Sequence, residues 1–178
     1  MGRDKASIRA GAGAAETLAE RTARLLRAAT RPALEVGPGR TSLLTVRDAG
    51  EGPLAALAAG SAALRALGWT GAAVVVATDL PFLTAGMLSW LADHPVGRSV
   101  VPVDGGRLQP LCARFEAPAL AVAETLAAGG ARAMRDLLEA IDPLLAGPEA
   151  WRAAAGEAGA LLDVDTPEDL ARLPGYPP

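Results

Sequence analysis

The sequence predicts an α/β protein, a sheet sandwiched between helices, and three observations carry that reading. Short apolar runs of strand length alternate with segments of helical periodicity along the chain. One run, residues 72–78 (AAVVVAT), is β-branched and apolar without interruption, as a central parallel strand covered on both faces requires. No internal repeat or composition break divides the 178 residues, so one domain spanning 1–178 is expected.

In chain order, residues 16–29 place Leu18, Leu25 and Leu26 near helical spacing with Arg and Glu opposite, an amphipathic helix that Arg31-Pro32 ends. Residues 33–36 and 43–46 read as short strands, separated by Gly37-Pro38-Gly39, the second ending at Asp48. An Ala/Leu helix is expected over 53–67, with Pro53 at its first position, where the missing N–H costs nothing. The strand over 72–78 runs straight into Asp79-Leu80-Pro81-Phe82, and Thr84 is placed to cap the next helix, which ends near Asp93. Residues 99–103 form a strand, Asp104-Gly105-Gly106 a turn, and 109–115 a hairpin return. Helices are expected over 118–128 and 132–140, helix or loop over 147–159, and a last strand over 161–164. Thr166-Pro167 then opens a short C-terminal helix.

Composition narrows the function classes. Hydrophobic residues make up 51% and charged residues 21%, enough apolar material for a core and too much for a disordered chain. The formal net charge is −3 and no face reads as a basic stripe, which argues against nucleic acid as a partner. A single Cys, Cys112, cannot form an internal disulfide or a Cys-rich metal site, so a reducing cytoplasm is the expected location. The start of the chain has no apolar signal core, and Ala6 stands where a myristoylation site would carry Ser or Thr. The longest apolar run is far too short to span a bilayer, so no membrane partner is expected.

Chemistry in an open α/β sheet gathers at the carboxyl ends of the strands. Asp79, Asp48, Asp163 and Asp165 stand at or beside predicted strand ends, where hard carboxylates suit Mg²⁺ bridging to phosphate; each alone reads equally well as a cap or turn acid. Lys5 is the one Lys beside 16 Arg, a compact point charge in a chain that otherwise uses planar forks.

Several segments resemble, in order, those of the molybdenum cofactor guanylyltransferases and their nucleotidyltransferase relatives. Residues 1–6 (MGRDKA) resemble the end of the LAGGxSxRMGxDKA signature. Residues 52–57 (GPLAAL) are similar to GPLAGL, and 79–83 (DLPFL) to the D-x-P-F-L/I metal motif. Residues 109–113 (QPLCA) resemble QPLCALY, and 163–170 (DVDTPEDL) the C-terminal N/D-V/I-N/D-T-P-E-D-L motif.

The resemblance implies a three-layer α/β/α Rossmann-like nucleotide-diphospho-sugar transferase fold with a mostly parallel sheet. It also implies transfer of GMP from GTP to the phosphate of molybdopterin or molybdenum cofactor, with release of pyrophosphate. Mg²⁺ would be the cofactor and Asp79 its ligand, with Lys5 on phosphate oxygens. Asp48, Gly52, Pro53 and Leu54 would meet the nucleotide, Gln109 and Arg114 would lie on the acceptor side, and Asp163 and Asp165 on the acceptor side or at the metal. Arg107 is a further candidate for an anionic pterin phosphate. A cofactor-delivery protein is one route for the acceptor. The family's first strand and its Leu-Ala-Gly-Gly loop would lie upstream of Met1, so the resemblance implies a chain lacking both. Residues 34–37 carry no Asn, and the chain has none anywhere, so a cytidylyltransferase or another small-molecule nucleotidyltransferase of the same fold is the alternative. A catalytically inactive truncated homologue acting as a binding subunit is the second.

His94 reads as a surface turn residue, Cys112 as core, and Trp69, Trp90 and Trp151 as packing residues.

Overall fold

The structure, a computed structural model, describes residues 16–47, 50–95, 97–156 and 161. Among these lie six helices and seven strands. Helix α1 (Leu18–Ala29) starts in a capping box. The Glu20 N–H donates to the Thr17 hydroxyl at 3.2 Å, and the Thr17 N–H donates to the Glu20 carboxylate at 2.8 Å. Two donors that the first turn would leave open are thereby satisfied.

Strands β1 (Leu34–Val36) and β2 (Leu44–Val46) pair in parallel as a two-stranded sheet. Helix α2 (Pro53–Ala66) follows and packs on β1, where the Gly60 backbone comes close to Val36 and Leu34. Strand β3 (Ala73–Val76) leads into α3 (Ala85–Ala92), whose N-cap is Thr84; its hydroxyl accepts from the Met87 N–H at 3.2 Å. Then come β4 (Val100–Asp104), β5 (Arg107–Leu108), β6 (Cys112–Phe115), α4 (Ala117–Ala128), α5 (Met134–Ile141), β7 (Leu144–Ala146) and α6 (Pro148–Ala155).

The second sheet is mixed. Strands β3, β4 and β7 run in one direction, while β6 lies antiparallel between β3 and β4. Helices cover both faces. Cys112 and Val100 join Leu83, Met87, Leu88, Leu91 and Trp151 in the layer with α1, α3 and α6. Ala113, Phe115 and Val101 join Leu54, Leu57, Leu120, Met134 and Leu137 in the layer with α2, α4 and α5. The alternation along β6 thus assigns its residues to opposite cores.

Two expectations change. Residues 73–76 pack on both faces as expected, Val74 and Val76 against one core and Ala73 and Val75 against the other, but they are not a central parallel strand: β3 is antiparallel to β6 and has no strand on its other edge among the described residues. The hairpin return from β4 inserts β6 between two strands of common direction, and apolar periodicity carries no information about such insertion. β7 was not foreseen, because three residues between a helix and a Gly-Pro turn give too short a pattern. The open assignment of 147–159 resolves to helix over Pro148–Ala155. The strand expected at 161–164 lies outside the described residues except for Leu161, which is buried.

Candidate active site

Strand direction defines the two ends of the sheet. Asp79 stands three residues past Val76, at the carboxyl end of β3, and is half-buried. The loop after it is anchored by apolar side chains: Leu80 and Leu83 are 4% and 0% exposed. The Arg21 guanidinium donates to the Leu83 carbonyl at 2.8 Å, and the Thr84 hydroxyl donates to the Ala155 carbonyl at 2.9 Å. Gly86 leaves no room for a methyl group against the Ala154 carbonyl, so α3 and α6 meet backbone to backbone. Asp79 is therefore a carboxylate on a short segment held between a strand and a packed helix start.

Gln109 comes to the same end. The Ala77 N–H donates to the Leu111 carbonyl at 2.7 Å, so the 109–111 turn lies beside the segment leading to Asp79. The Gln109 backbone is fixed on both sides, its N–H donating to the Pro102 carbonyl at 2.9 Å and its carbonyl accepting from the Cys112 N–H at 3.0 Å. Its half-buried amide is thus carried on a rigid turn.

Gly52, Pro53 and Leu54 form the start of α2. Gly52 has φ +106°, a backbone conformation open to Gly and strained for any L side chain. An added Cβ would lie 3.0 Å from the Arg132 carbonyl oxygen. The Leu54 N–H donates to that same oxygen at 3.2 Å, and the Leu54 side chain is fully buried.

Arg114 is not brought to this edge. It pairs with Val74 and with Val100, the first residue of β4, toward the amino end of the sheet. Its guanidinium is 2.9 Å from the Glu116 carboxylate and donates to the Ala92 and Leu91 carbonyls at the end of α3. It is 8% exposed and so committed to the fold. Arg107 lies on β5, exposed, in register with Asp104. Lys5, Asp48, Asp163 and Asp165 lie outside the described residues.

Sequence reasoning missed two residues at the carboxyl edge. Asp104 ends β4, as Asp79 follows β3, and Arg152 of α6 approaches it at 3.7 Å. The sequence pattern marks Asp104 only as a turn residue; its position at the end of a strand parallel to β3 is the signal that identifies it. Cys112 is buried, which pushes its thiol up to about 12, so it is no nucleophile. A separate cleft of about 540 Å³ lies between α1 and the β1–β2 loop, with Arg24, Arg27, Glu16, Glu20, Thr41 and Ser42 on its wall. Arg24 and Glu16 satisfy each other there in a bidentate pair, and none of Asp79, Gly52 and Gln109 is among its described lining residues.

Residues 1–144 match the family described as MobA-like NTP transferase domain. The chain belongs to this family. A protein of Mycobacterium avium named "Probable molybdenum cofactor guanylyltransferase" is 34% identical over 185 residues, covering 97% of this chain and 88% of that protein. A protein of the same name from Chloroflexus aggregans is 32% identical over 138 residues, covering 75% of this chain and 64% of that protein, just under two thirds of its length. The structure of molybdopterin-guanine dinucleotide biosynthesis protein A from Archaeoglobus fulgidus superposes with a TM-score of 0.70 at 22% identity, covering 94% of this chain and 87% of that one. That likeness confirms the mixed α/β nucleotidyltransferase fold. As for the membrane, no helix among the described residues is long and apolar enough to cross one.

Proposed function

We propose that this chain is a single nucleotidyltransferase domain that moves GMP from GTP to the phosphate of molybdopterin or molybdenum cofactor in the cytoplasm. An acceptor phosphate oxygen attacks the α-phosphorus in line, the new P–O bond forms, and pyrophosphate leaves with the electron pair of the broken P–O bond. This reading is supported by the 34% identity to a relative with that name and by the position of Asp79 past the carboxyl end of β3, beside the Gln109 turn.

The donor set fits a metal that arrives with its substrate. Among the described residues no group of three or more His, Cys, Asp or Glu could hold a metal ion by itself. Mg²⁺ is commonly held by one or two carboxylates together with substrate phosphates, and Asp79 offers one hard carboxylate at the right edge. When bound, Mg²⁺ supplies neutralisation of charge building on the triphosphate. Asp79 holds it, and Lys5 holds phosphate oxygens as charge moves toward pyrophosphate. Asp48 and the Gly52–Pro53–Leu54 turn take the nucleoside, with Gly52 letting the backbone approach closely. Gln109 recognises the acceptor through its amide, and Asp163 and Asp165 serve the acceptor or the metal. Catalysis is then largely positioning and electrostatics.

The test is ligand-induced thermal stabilisation with Mg²⁺ and GTP, CTP, ATP or UTP, followed by pyrophosphate release with molybdopterin. Stabilisation led by GTP supports guanylyl transfer. Equal response to all four nucleotides would sink the guanine assignment, and no pyrophosphate would sink the enzyme reading.

A further inference from the structure

Arg132, in the α4–α5 connection, touches three positions of the turn that opens α2. Its guanidinium is 2.7 Å from the Glu51 carboxylate. Its carbonyl lies where a Cβ on Gly52 would meet it at 3.0 Å and accepts from the Leu54 N–H at 3.2 Å. The same guanidinium donates to the Ala127 and Ala131 carbonyls, at 2.9 Å each, and so ties itself to the end of α4. Pro53 has no N–H, so Leu54 supplies the first backbone donor inside α2, and Arg132 takes it. One residue of a neighbouring helix pair therefore sets the height and orientation of residues 51–54.

We propose that Arg132 is a positioning residue for nucleotide binding. It holds the Glu51–Leu54 turn in its bound shape before the nucleotide arrives, with Glu51 as the outer half of the clasp. This rests on the reading that the Gly52 turn meets the nucleoside. The clasp spares the nucleotide the cost of ordering a Gly-Pro turn, the general advantage of preorganisation. The ion pair is open to solvent on both sides, 41% and 50% exposed, so it contributes little to global stability. Its loss should therefore be felt in ligand affinity and hardly in unfolding, which separates positioning from a structural role.

The test compares Glu51→Gln, Arg132→Lys and the double variant with the wild-type chain. GTP affinity with Mg²⁺, KM and kcat for GTP, and the unfolding temperature are measured in each. Glu51→Gln should weaken GTP binding and raise KM about 5- to 10-fold with kcat within about twofold, and the unfolding temperature should move by less than about 2 °C. The double variant should be no weaker than the worse single variant, since both remove one clasp. Glu51→Asp, which keeps the carboxylate, should recover part of the affinity. Unchanged GTP affinity in variants of a wild-type chain that binds GTP would overturn the positioning role, as would a loss of affinity that tracks a falling unfolding temperature. A wild-type chain that binds no nucleoside triphosphate would instead overturn the functional reading, and the clasp's role with it.

Discussion

Strand β6 connects two ends of the sheet that do different work. Gln109 precedes it at the carboxyl edge, and Arg114 sits within it near the amino edge. The two are five residues apart in sequence, with the 109–111 turn between Gln109 and the strand. Both are polar, yet only Gln109, which opens the segment resembling QPLCALY, shares an edge with Asp79. Arg114 is buried against Glu116 and the end of α3. Register, not residue type, separates the residue proposed to bind from the one built into the scaffold. At the carboxyl edge polar groups are half-buried and set on fixed turns; at the amino edge they are buried and mutually satisfied.

The contrast breaks first at Asp79. Asp79→Ala should lower pyrophosphate release by at least ~10²-fold, the scale of removing one charge-stabilising group from a transition state. The unfolding temperature should stay within about 2 °C, because packing of the loop rests on Leu80 and Leu83. Retained turnover would remove Asp79 from the metal role.

Arg114 should give the mirror image. Arg114→Ala leaves the largely buried Glu116 carboxylate without this partner and removes a donor from the Ala92 carbonyl, and should cost about 3 kcal/mol in denaturant unfolding. Activity per folded molecule should be unchanged. Replacing both partners by Leu should recover much of the stability, since the penalty lies in the orphaned charge. A selective rise in acceptor KM with stability intact would return Arg114 to the acceptor side.

The same contrast explains what was legible. Helix α3 and its Thr84 cap, the Pro53 start of α2, and the motif DLPFL at a strand end depend on local chemistry, and the sequence carries local chemistry. The antiparallel insertion of β6 depends on pairing between distant segments, as do the burial of Arg114 and the Arg132 contact to Gly52. No local pattern encodes them. Asp104 was missed for the same reason: its edge follows from the direction of β4 relative to β3.

Gln109→Ala sharpens the comparison on the binding side. With its backbone bonds intact, loss of the amide should raise KM for the acceptor about tenfold, the worth of one well-placed polar contact. KM for GTP and the unfolding temperature should hold. An effect on GTP alone would place Gln109 with the nucleotide.

The smallest expected effect lies at Glu35, in the middle of β1, a polar residue that is both ordered and internally satisfied. Burial pushes the Glu35 carboxyl up, but hydrogen bonds outweigh it. The Arg40, Thr41 and Gly39 N–H groups and the Thr41 hydroxyl donate to it at 2.7 to 2.9 Å, and the net shift is below the ordinary value of 4.5. A carboxyl whose folded pKa is depressed binds fewer protons folded than unfolded. Its contribution is complete above the unfolded value and is lost as pH falls through the folded one. Unfolding free energy should therefore decline with acid below about pH 4.5, and less steeply in Glu35→Gln than in the wild-type chain. Glu16, Glu20 and Glu124 are depressed too and remain in both proteins, so the difference between the two curves isolates Glu35. Superimposable slopes would mean that the loop over residues 39–41 holds its shape without the carboxylate.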